Sequence, residues 1–199
     1  MASAIGILDL QGDVIEHIAH FESIGVSTRR VKAPADLSGL SGLVIPGGES
    51  TCLWRLLRLF ELDRAIADAV GQQKIKVWGT CAGAILLATR IRNEPAKLGL
   101  LDIEVARNAF GSQLDSFHSR ALIPKISDRE VPLTFIRAPK ILQAGKDVEV
   151  LLAVDDYIAM VESTAALATI FHPEMTPCLA FHRYFARKCG VQRSGTDRV

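Results

Sequence analysis

The stretch from 75 to 89, IKVWGTCAGAILLAT, decides the fold class. Ile75–Trp78 has the length and composition of a buried strand, and Ala82–Thr89 is predicted to be an apolar helix. The five residues GTCAG (79–83) join the two, and they leave room only for a sharp turn. A buried strand that passes into a helix through a glycine-flanked turn is typical of α/β proteins.

The same alternation of strand and helix extends back to the N-terminus. Strands are predicted at Ala4–Leu10, Thr28–Val31 and Leu43–Ile45. Helices are predicted at Val14–Ile24 and Leu62–Val70, and another helix is predicted to start after a cap at Ser50 or Thr51. Asp13 with Glu16 resembles a capping box. This order predicts a parallel sheet with helices on both faces, and ligands bind beyond the carboxyl ends of such strands. Gln11, Gly47-Gly48 and Cys81 should therefore meet along one edge.

From about Leu100 the pattern changes to successive strands. They are predicted at Leu101–Val105, Leu133–Ile136, Val148–Val154, Tyr157–Val161 and Leu167–Phe171, as hairpins added to the sheet. Thr176 as cap, Pro177 and Gly190 bracket a last helix. We expect a single-domain, three-layer α/β sandwich over residues 1–190, with a mostly parallel sheet and added antiparallel strands. The polar segment 191–199 is expected to be a frayed tail.

The composition argues against several classes of protein. There are 23 Lys and Arg and 22 Asp and Glu, so the net charge is +1 and gives no footprint for nucleic acid. No apolar run reaches the ~18 residues that span a bilayer, and the N-terminus lacks the basic region of a secretory signal. Four cysteines without a CxxC pair are typical of a reducing compartment. We expect a cytoplasmic protein that binds neither nucleic acid nor membrane.

Cys81 is the candidate nucleophile. At such a tight turn a Cβ at either flanking glycine would clash, and the residue between them takes a strained backbone conformation. The following helix N-terminus favours the thiolate, and the N–H of Ala82 could donate to an oxyanion. A buried, inert cysteine is the competing interpretation. Cys52, Cys178 and Cys189 lack this context, and we interpret them as packing residues.

The candidate base is His172, in the sequence His172-Pro173-Glu174. Pro173 favours an extended His172, and residues two apart in extended chain point the same way, so the Glu174 carboxylate can reach the imidazole. From the residues alone, a polar turn after an edge strand is an equally good interpretation.

Two further features could bind a substrate. The turn Pro46-Gly47-Gly48-Glu49-Ser50 can present backbone N–H groups, although a tight strand–helix connection explains it equally well. Arg107 and Arg137 lie in uncommon strings, but each could be a solvated or ion-paired arginine. No spacing of His, Cys or Asp predicts a metal site, and we expect no cofactor.

Taken together, these motifs resemble a known family. GTCAG with a distant HPE is similar to the class I glutamine amidotransferases, which have a flavodoxin-like fold and a Cys-His-Glu triad. The strings LQGDVIEH (10–17), PGGEST (46–51), RNAFGSQLDSF (107–117), FIRAP (135–139) and FHPE (171–174) resemble more narrowly the glutaminase subunits of pyridoxal 5'-phosphate synthase, the PdxT/SNO family.

The resemblance implies a reaction and its residues. Cys81 would attack the side-chain amide of L-glutamine, release ammonia and form a thioester, which is hydrolysed to L-glutamate, with His172 as base and Glu174 as its orienting acid. It implies an oxyanion site at the N–H groups of Gly48 and Ala82, and a glutamine pocket formed by Gly48, Glu49, Ser50, Arg107, Ile136 and Arg137. Ammonia would pass to a synthase subunit in a large hetero-oligomer, with Gln11–His17 at the contact.

Three alternatives remain open at this point. The chain could be the glutaminase subunit of a different amidotransferase, although FIRAP and RNAFGSQLDSF disfavour it. It could be a catalytically silent binding module of the same fold, which an intact Cys81, His172 and Glu174 disfavours. It could also be a cysteine peptidase or redox-sensor relative, which would need neither PGGEST nor the two arginines.

Overall fold

The computed structural model describes residues 4–107 and 116–191. Within them the helices are α1 (Val14–Ser23), α2 (Ser50–Leu59), α3 (Leu62–Gly71), α4 (Ala82–Leu87) and α5 (Ala180–Lys188). The strands are β1 (Ala4–Leu8), β2 (Thr28–Val31), β3 (Leu40–Ile45), β4 (Lys76–Thr80), β5 (Ala88–Ile91), β6 (Leu101–Ala106), β7 (Ser116–Ala121), β8 (Val131–Ile136), β9 (Lys140–Ala144), β10 (Glu149–Val154), β11 (Tyr157–Glu162) and β12 (Ala166–Thr169). Short 3-10 helices lie at Pro34–Leu37 and Pro173–Met175.

One large sheet organises the protein. Its strand order is β2-β1-β3-β4-β12-β11-β9-β6-β5, and β10 pairs with β11. The strands from β2 to β12 are mutually parallel, whereas β11 and β9 join the sheet in antiparallel pairs. The predicted α/β fold, a mostly parallel sheet with added antiparallel strands, is therefore confirmed. The prediction was wrong for β8, which pairs with β7 in a separate two-stranded ribbon.

The helices cover both faces of the sheet. The chain moves from β1 through α1 to β2 in one direction along the sheet, and from β3 through α2 and α3 to β4 in the other. Because parallel crossovers are right-handed, these two sets of helices lie on opposite faces. Helix α5 packs against α1, on the same face. The strands between the layers, β1, β3, β4 and β12, are almost wholly buried, as expected for a sheet covered on both sides.

Three predicted helix caps were wrong, although α1 begins at Val14 as predicted. Asp13 precedes α1 but makes no capping hydrogen bond with its side chain. Helix α2 is capped not by Ser50 or Thr51 but by Glu49, whose carboxylate accepts from the N–H groups of Thr51 and Cys52 at 2.9 and 2.6 Å. Thr176 closes the 3-10 helix, donating its hydroxyl to the Pro173 carbonyl, and α5 begins at Ala180.

Strands β5, β7 and β9 were not predicted, and α4 ends at Leu87, two residues earlier than expected. The tail at 192–199 and most of the string RNAFGSQLDSF, residues 108–115, lie outside the described residues. No helix in the described part of the chain combines the length and the apolar character needed to cross a membrane.

Candidate active site

The nucleophile turn has the geometry that its glycines predict. Cys81 follows β4 directly and precedes α4, with φ 48° and ψ −103°, a region that costs a non-glycine residue about 1–3 kcal/mol. Its N–H donates to the Thr169 carbonyl of β12 at 2.8 Å, which holds the turn in place. A Cβ on Gly79 would lie 2.5 Å from the Gly83 carbonyl carbon, and one on Gly83 would lie 2.0 Å from the Ile45 oxygen.

His172 lies across the sheet edge from this turn. Its backbone N–H donates to the Thr134 carbonyl of β8 at 2.8 Å, and the residue is 5% exposed. Its Nδ1 lies 2.7 Å from Oε1 of Glu174, which is also buried. The structure thus brings together the two side chains that sequence spacing paired, and His172 lines the same cavity as Cys81.

Asp13 is a residue of this site that the sequence interpretation missed. Its Oδ2 lies 3.2 Å from the same Nδ1 of His172, so two carboxylates share one imidazole nitrogen. The hydrogen bond with His172 is the main reason that the pKa of Asp13 is lowered. The position of Asp13 in the sequence fits a site residue, because it follows the first strand closely, at the edge of the sheet where ligands bind. An acid just before a helix also fits a capping residue, and the sequence alone does not distinguish the two.

These acids determine the charge of the imidazole. Burial lowers the pKa of His172, but its interactions with Asp13, Cys81 and Glu174 outweigh burial and raise the pKa to about 12. The ring is therefore an imidazolium at neutral pH. A protonated imidazole next to a thiol stabilises the thiolate and can give its proton to a leaving group.

A cavity of about 360 Å³ opens over Cys81, the candidate nucleophile. Its lining residues are Asp13, Gly48, Glu49, Ser50, Cys81, Ala82, Ile85, Arg107, Ile136, Arg137, Pro139, His172 and Met175. All the predicted pocket residues line it. Glu174 does not, because it lies behind His172. The Cys81 sulfur also approaches the Ile136 carbonyl at 3.8 Å.

The two arginines differ in what they contact. Arg107 is ion-paired with Glu94 at 2.7 Å and with Glu49 at 3.5 Å, so its guanidinium is engaged by acids of the chain itself. Arg137 is exposed at the cavity and has φ 43°, and within the described residues no ion pair or hydrogen bond of its side chain is found. Arg137 is thus better placed than Arg107 to receive the carboxylate of a ligand.

Backbone groups from two turns converge on the same space. Ala82 is the first residue of α4, so its N–H has no acceptor within the helix. Gly48 has φ 145°, a conformation that side chains rarely adopt, and a Cβ there would lie 3.0 Å from Oε1 of Gln11. That Gln11 oxygen accepts from the Glu49 N–H at 3.2 Å, which ties the first turn of the chain to the second.

The site also contains a set of potential metal ligands. Donor atoms of Asp13, His172 and Glu174 lie within 4.8 Å of one another. Nδ1 of His172 already contacts an oxygen of each carboxylate, so these hydrogen bonds explain why the three side chains cluster without an ion. The four cysteines are free thiols. Cys178 and Cys189 pack against the core, but Cys52 is exposed, so its interpretation as a packing residue was wrong.

A nucleophile turn at the edge of a mixed α/β sheet, with a histidine and an acid from the neighbouring strand, defines a class I glutamine amidotransferase architecture. A crystal structure described as a glutamine amidotransferase superposes with a TM-score of 0.90 at 37% identity, covering 95% of this chain and all of that one. The structure of PurLQS from Thermotoga maritima shares the fold, with a TM-score of 0.67 at 15% identity, covering 94% of this chain and 99% of that one.

The chain belongs to the SNO glutamine amidotransferase family, whose model matches residues 7–191. It is 56% identical over 189 residues to the pyridoxal 5'-phosphate synthase subunit PdxT of Syntrophus aciditrophicus, which covers 95% of this chain and 84% of that protein. It is 44% identical over 182 residues to the subunit of the same name from Thermotoga petrophila, covering 91% and 96%.

Proposed function

We propose that this protein is the glutaminase subunit of a pyridoxal 5'-phosphate synthase. It would hydrolyse L-glutamine to L-glutamate and ammonia and deliver the ammonia to a synthase subunit. The observation that carries the proposal is the convergence of Cys81 and His172 on one cavity, with Glu174 buried against His172. The family and the names of the relatives support the substrate and the pathway.

The geometry supports a two-stage reaction. The Cys81 thiolate attacks the side-chain amide carbon of glutamine, and the oxyanion is stabilised by the N–H groups of Gly48 and Ala82, worth about 3–4 kcal/mol for a single donor. The C–N bond then breaks, and His172 gives its proton to the departing ammonia. Next, His172 takes a proton from water, the hydroxide attacks the thioester, and glutamic acid leaves as the thiolate and imidazolium are restored.

Substrate recognition would use groups of opposite charge for the two ends of the amino acid. The planar guanidinium of Arg137 matches the two oxygens of the glutamine α-carboxylate, and Glu49 with Ser50 offers acceptors to its ammonium group. Arg107 would act indirectly, because its ion pairs hold Glu49 and Glu94 in place. Ile136 lines the cavity beside the sulfur and would contact the aliphatic part of the substrate.

The chemistry of ammonia and the exposed apolar side chains near the cavity both support a partner subunit. Free ammonia in neutral water is mostly protonated and unreactive, so a shielded path to the synthase subunit within a hetero-oligomer makes physical sense. The turn before α1 and its first residues are the proposed contact, because Ile15 is 66% exposed there and Met175, at the cavity, is 45% exposed. Four free thiols are consistent with the cytoplasm as the location.

The test is ammonia release from glutamine with and without the synthase subunit. We expect the partner to raise the rate, Cys81→Ala to abolish it, and the control Cys52→Ala, at an exposed thiol, to leave it unchanged. Retained turnover in Cys81→Ala would refute the nucleophile. A wild-type assembly that binds the synthase subunit but releases no ammonia would favour the catalytically silent module instead.

A further inference from the structure

Helix α1 carries a buried histidine that the proposed reaction does not use. His17 is 0% exposed, and its Nε2 lies 3.5 Å from Oε2 of Glu174 and 3.4 Å from the Thr80 hydroxyl. On its other side, Nδ1 lies 2.9 Å from Nε2 of His182 on α5. Since Oε1 of Glu174 faces His172, the carboxylate lies between two imidazoles.

The unpaired atoms of this cluster determine where the protons lie. Nδ1 of His182 is buried and has no hydrogen-bond partner within the described residues. If it carries no proton, Nε2 of His182 is the donor and Nδ1 of His17 the acceptor, which puts the proton of His17 on Nε2, facing Glu174. The reverse arrangement would place the lone pair of His17 Nε2 against Oε2 of Glu174. That carboxylate oxygen also lacks a hydrogen bond within the described residues.

Burial favours the neutral form of both His17 and His182. Burial lowers the pKa of His17, and more strongly that of His182. The charged and titratable groups that act on His17 are Glu174, Asp13, His20 and His172, and the acids only partly offset its burial. A neutral N–H can hold the carboxylate without adding a second positive charge, so the single imidazolium remains at His172.

We propose that His17 is a positioning residue of the triad: its Nε2–H holds the second oxygen of Glu174, and His182 sets the tautomer in which it can do so. This inference rests on the proposed function. The 3.5 Å contact is long for a hydrogen bond, as the catalytic contacts of unliganded enzymes often are. Oriented in this way, Glu174 presents Oε1 to His172.

The test compares three variants in the assembly with the synthase subunit. His17→Phe keeps a planar ring and removes the donor, His17→Gln keeps an N–H near the position of Nε2, and His20→Gln is the control one turn along the same helix. The hydrogen bonds of His20 go to the backbone carbonyls of Glu16 and Thr176, and its ring lies 4.5 Å from that of His182, so this control alters the cluster without removing the donor to Glu174. We expect His17→Phe to lower kcat about tenfold at nearly constant KM, and His17→Gln to recover most of the loss.

A second readout does not depend on turnover. The pH profile of Cys81 alkylation, read by mass spectrometry on the peptide that contains residue 81, should shift upward in His17→Phe. An unshifted profile would overturn the inference, and so would a His17→Gln variant whose kcat is as low as that of His17→Phe. If the wild type releases no ammonia, the proposed function fails, and the alkylation profile still decides whether His17 acts on the triad.

Discussion

Replacing His182 with phenylalanine should make the protein less sensitive to acid. His182 is fully buried between the rings of Phe21 and Trp78, at 4.9 and 5.1 Å, and burial lowers its pKa well below the ordinary value of 6.5. Below pH 6.5 the unfolded chain therefore binds a proton that the folded protein does not. Stability is lost as the pH falls through the unfolded pKa.

The magnitude follows from that single proton. Between pH 7.5 and 5.5, an unfolded histidine goes from about one-tenth to about nine-tenths protonated, which costs about 1.4 kcal/mol if the folded residue stays neutral. The wild type should thus lose about 1.4 kcal/mol more than His182→Phe over this range. Groups that do not contact His182, among them His172 and the carboxylates, contribute equally to both proteins and cancel. At pH 7.5 the variant is destabilised by about 1–3 kcal/mol, because Nδ1 of His17 loses its buried donor.

Urea unfolding followed by tryptophan fluorescence measures the difference at each pH. Phe185→Leu is the matched control, since Phe185 packs on Trp78 in the same cluster and carries no proton. It should lower the free energy of unfolding equally at both pH values. Equal losses in the wild type and His182→Phe would refute the reasoning, because His182 would then take up its proton in the folded state.

Two other changes test the site. Arg137→Ala should raise KM for glutamine by one to two orders of magnitude with a smaller effect on kcat, measured by steady-state ammonia release; an unchanged KM would assign the substrate carboxylate to another group. Gly79→Ala should destabilise the fold by several kcal/mol in urea unfolding, because its Cβ would lie 2.5 Å from the backbone of Gly83; a loss below about 1 kcal/mol would show that the turn can relax.

The sequence predicted the parts of the site that local chemistry fixes. The turn at Cys81 needs glycines on both sides, so it could be predicted from a short string. The pairing of His172 with Glu174 was also predicted, but the reason given, an extended chain, was wrong: the 3-10 helix Pro173–Met175 brings the two side chains together. The core strands were equally easy to predict, because β1, β3, β4 and β12 are buried on both faces and are mostly apolar.

What could not be predicted depends on contacts between distant segments. Asp13 has the sequence signature of a helix cap, and only the fold brings it to His172, 159 residues away in the chain. His17 follows the spacing of a core-facing helix position, and its contact with Glu174 depends on the packing of α1 against the Pro173–Met175 turn. The polar ribbon strand β7 has no buried face to give it a pattern.

The ribbon strand β8 contacts both His172 and Cys81 through its main chain. The Thr134 carbonyl accepts from the N–H of His172, and the Ile136 carbonyl faces the sulfur of Cys81. Carbonyls two residues apart in a strand point the same way, so one strand aligns both partners. The register of β8 is therefore fixed by its main chain as well as by its buried side chains: inserting or deleting one residue between 131 and 134 would turn both oxygens away from Cys81 and His172.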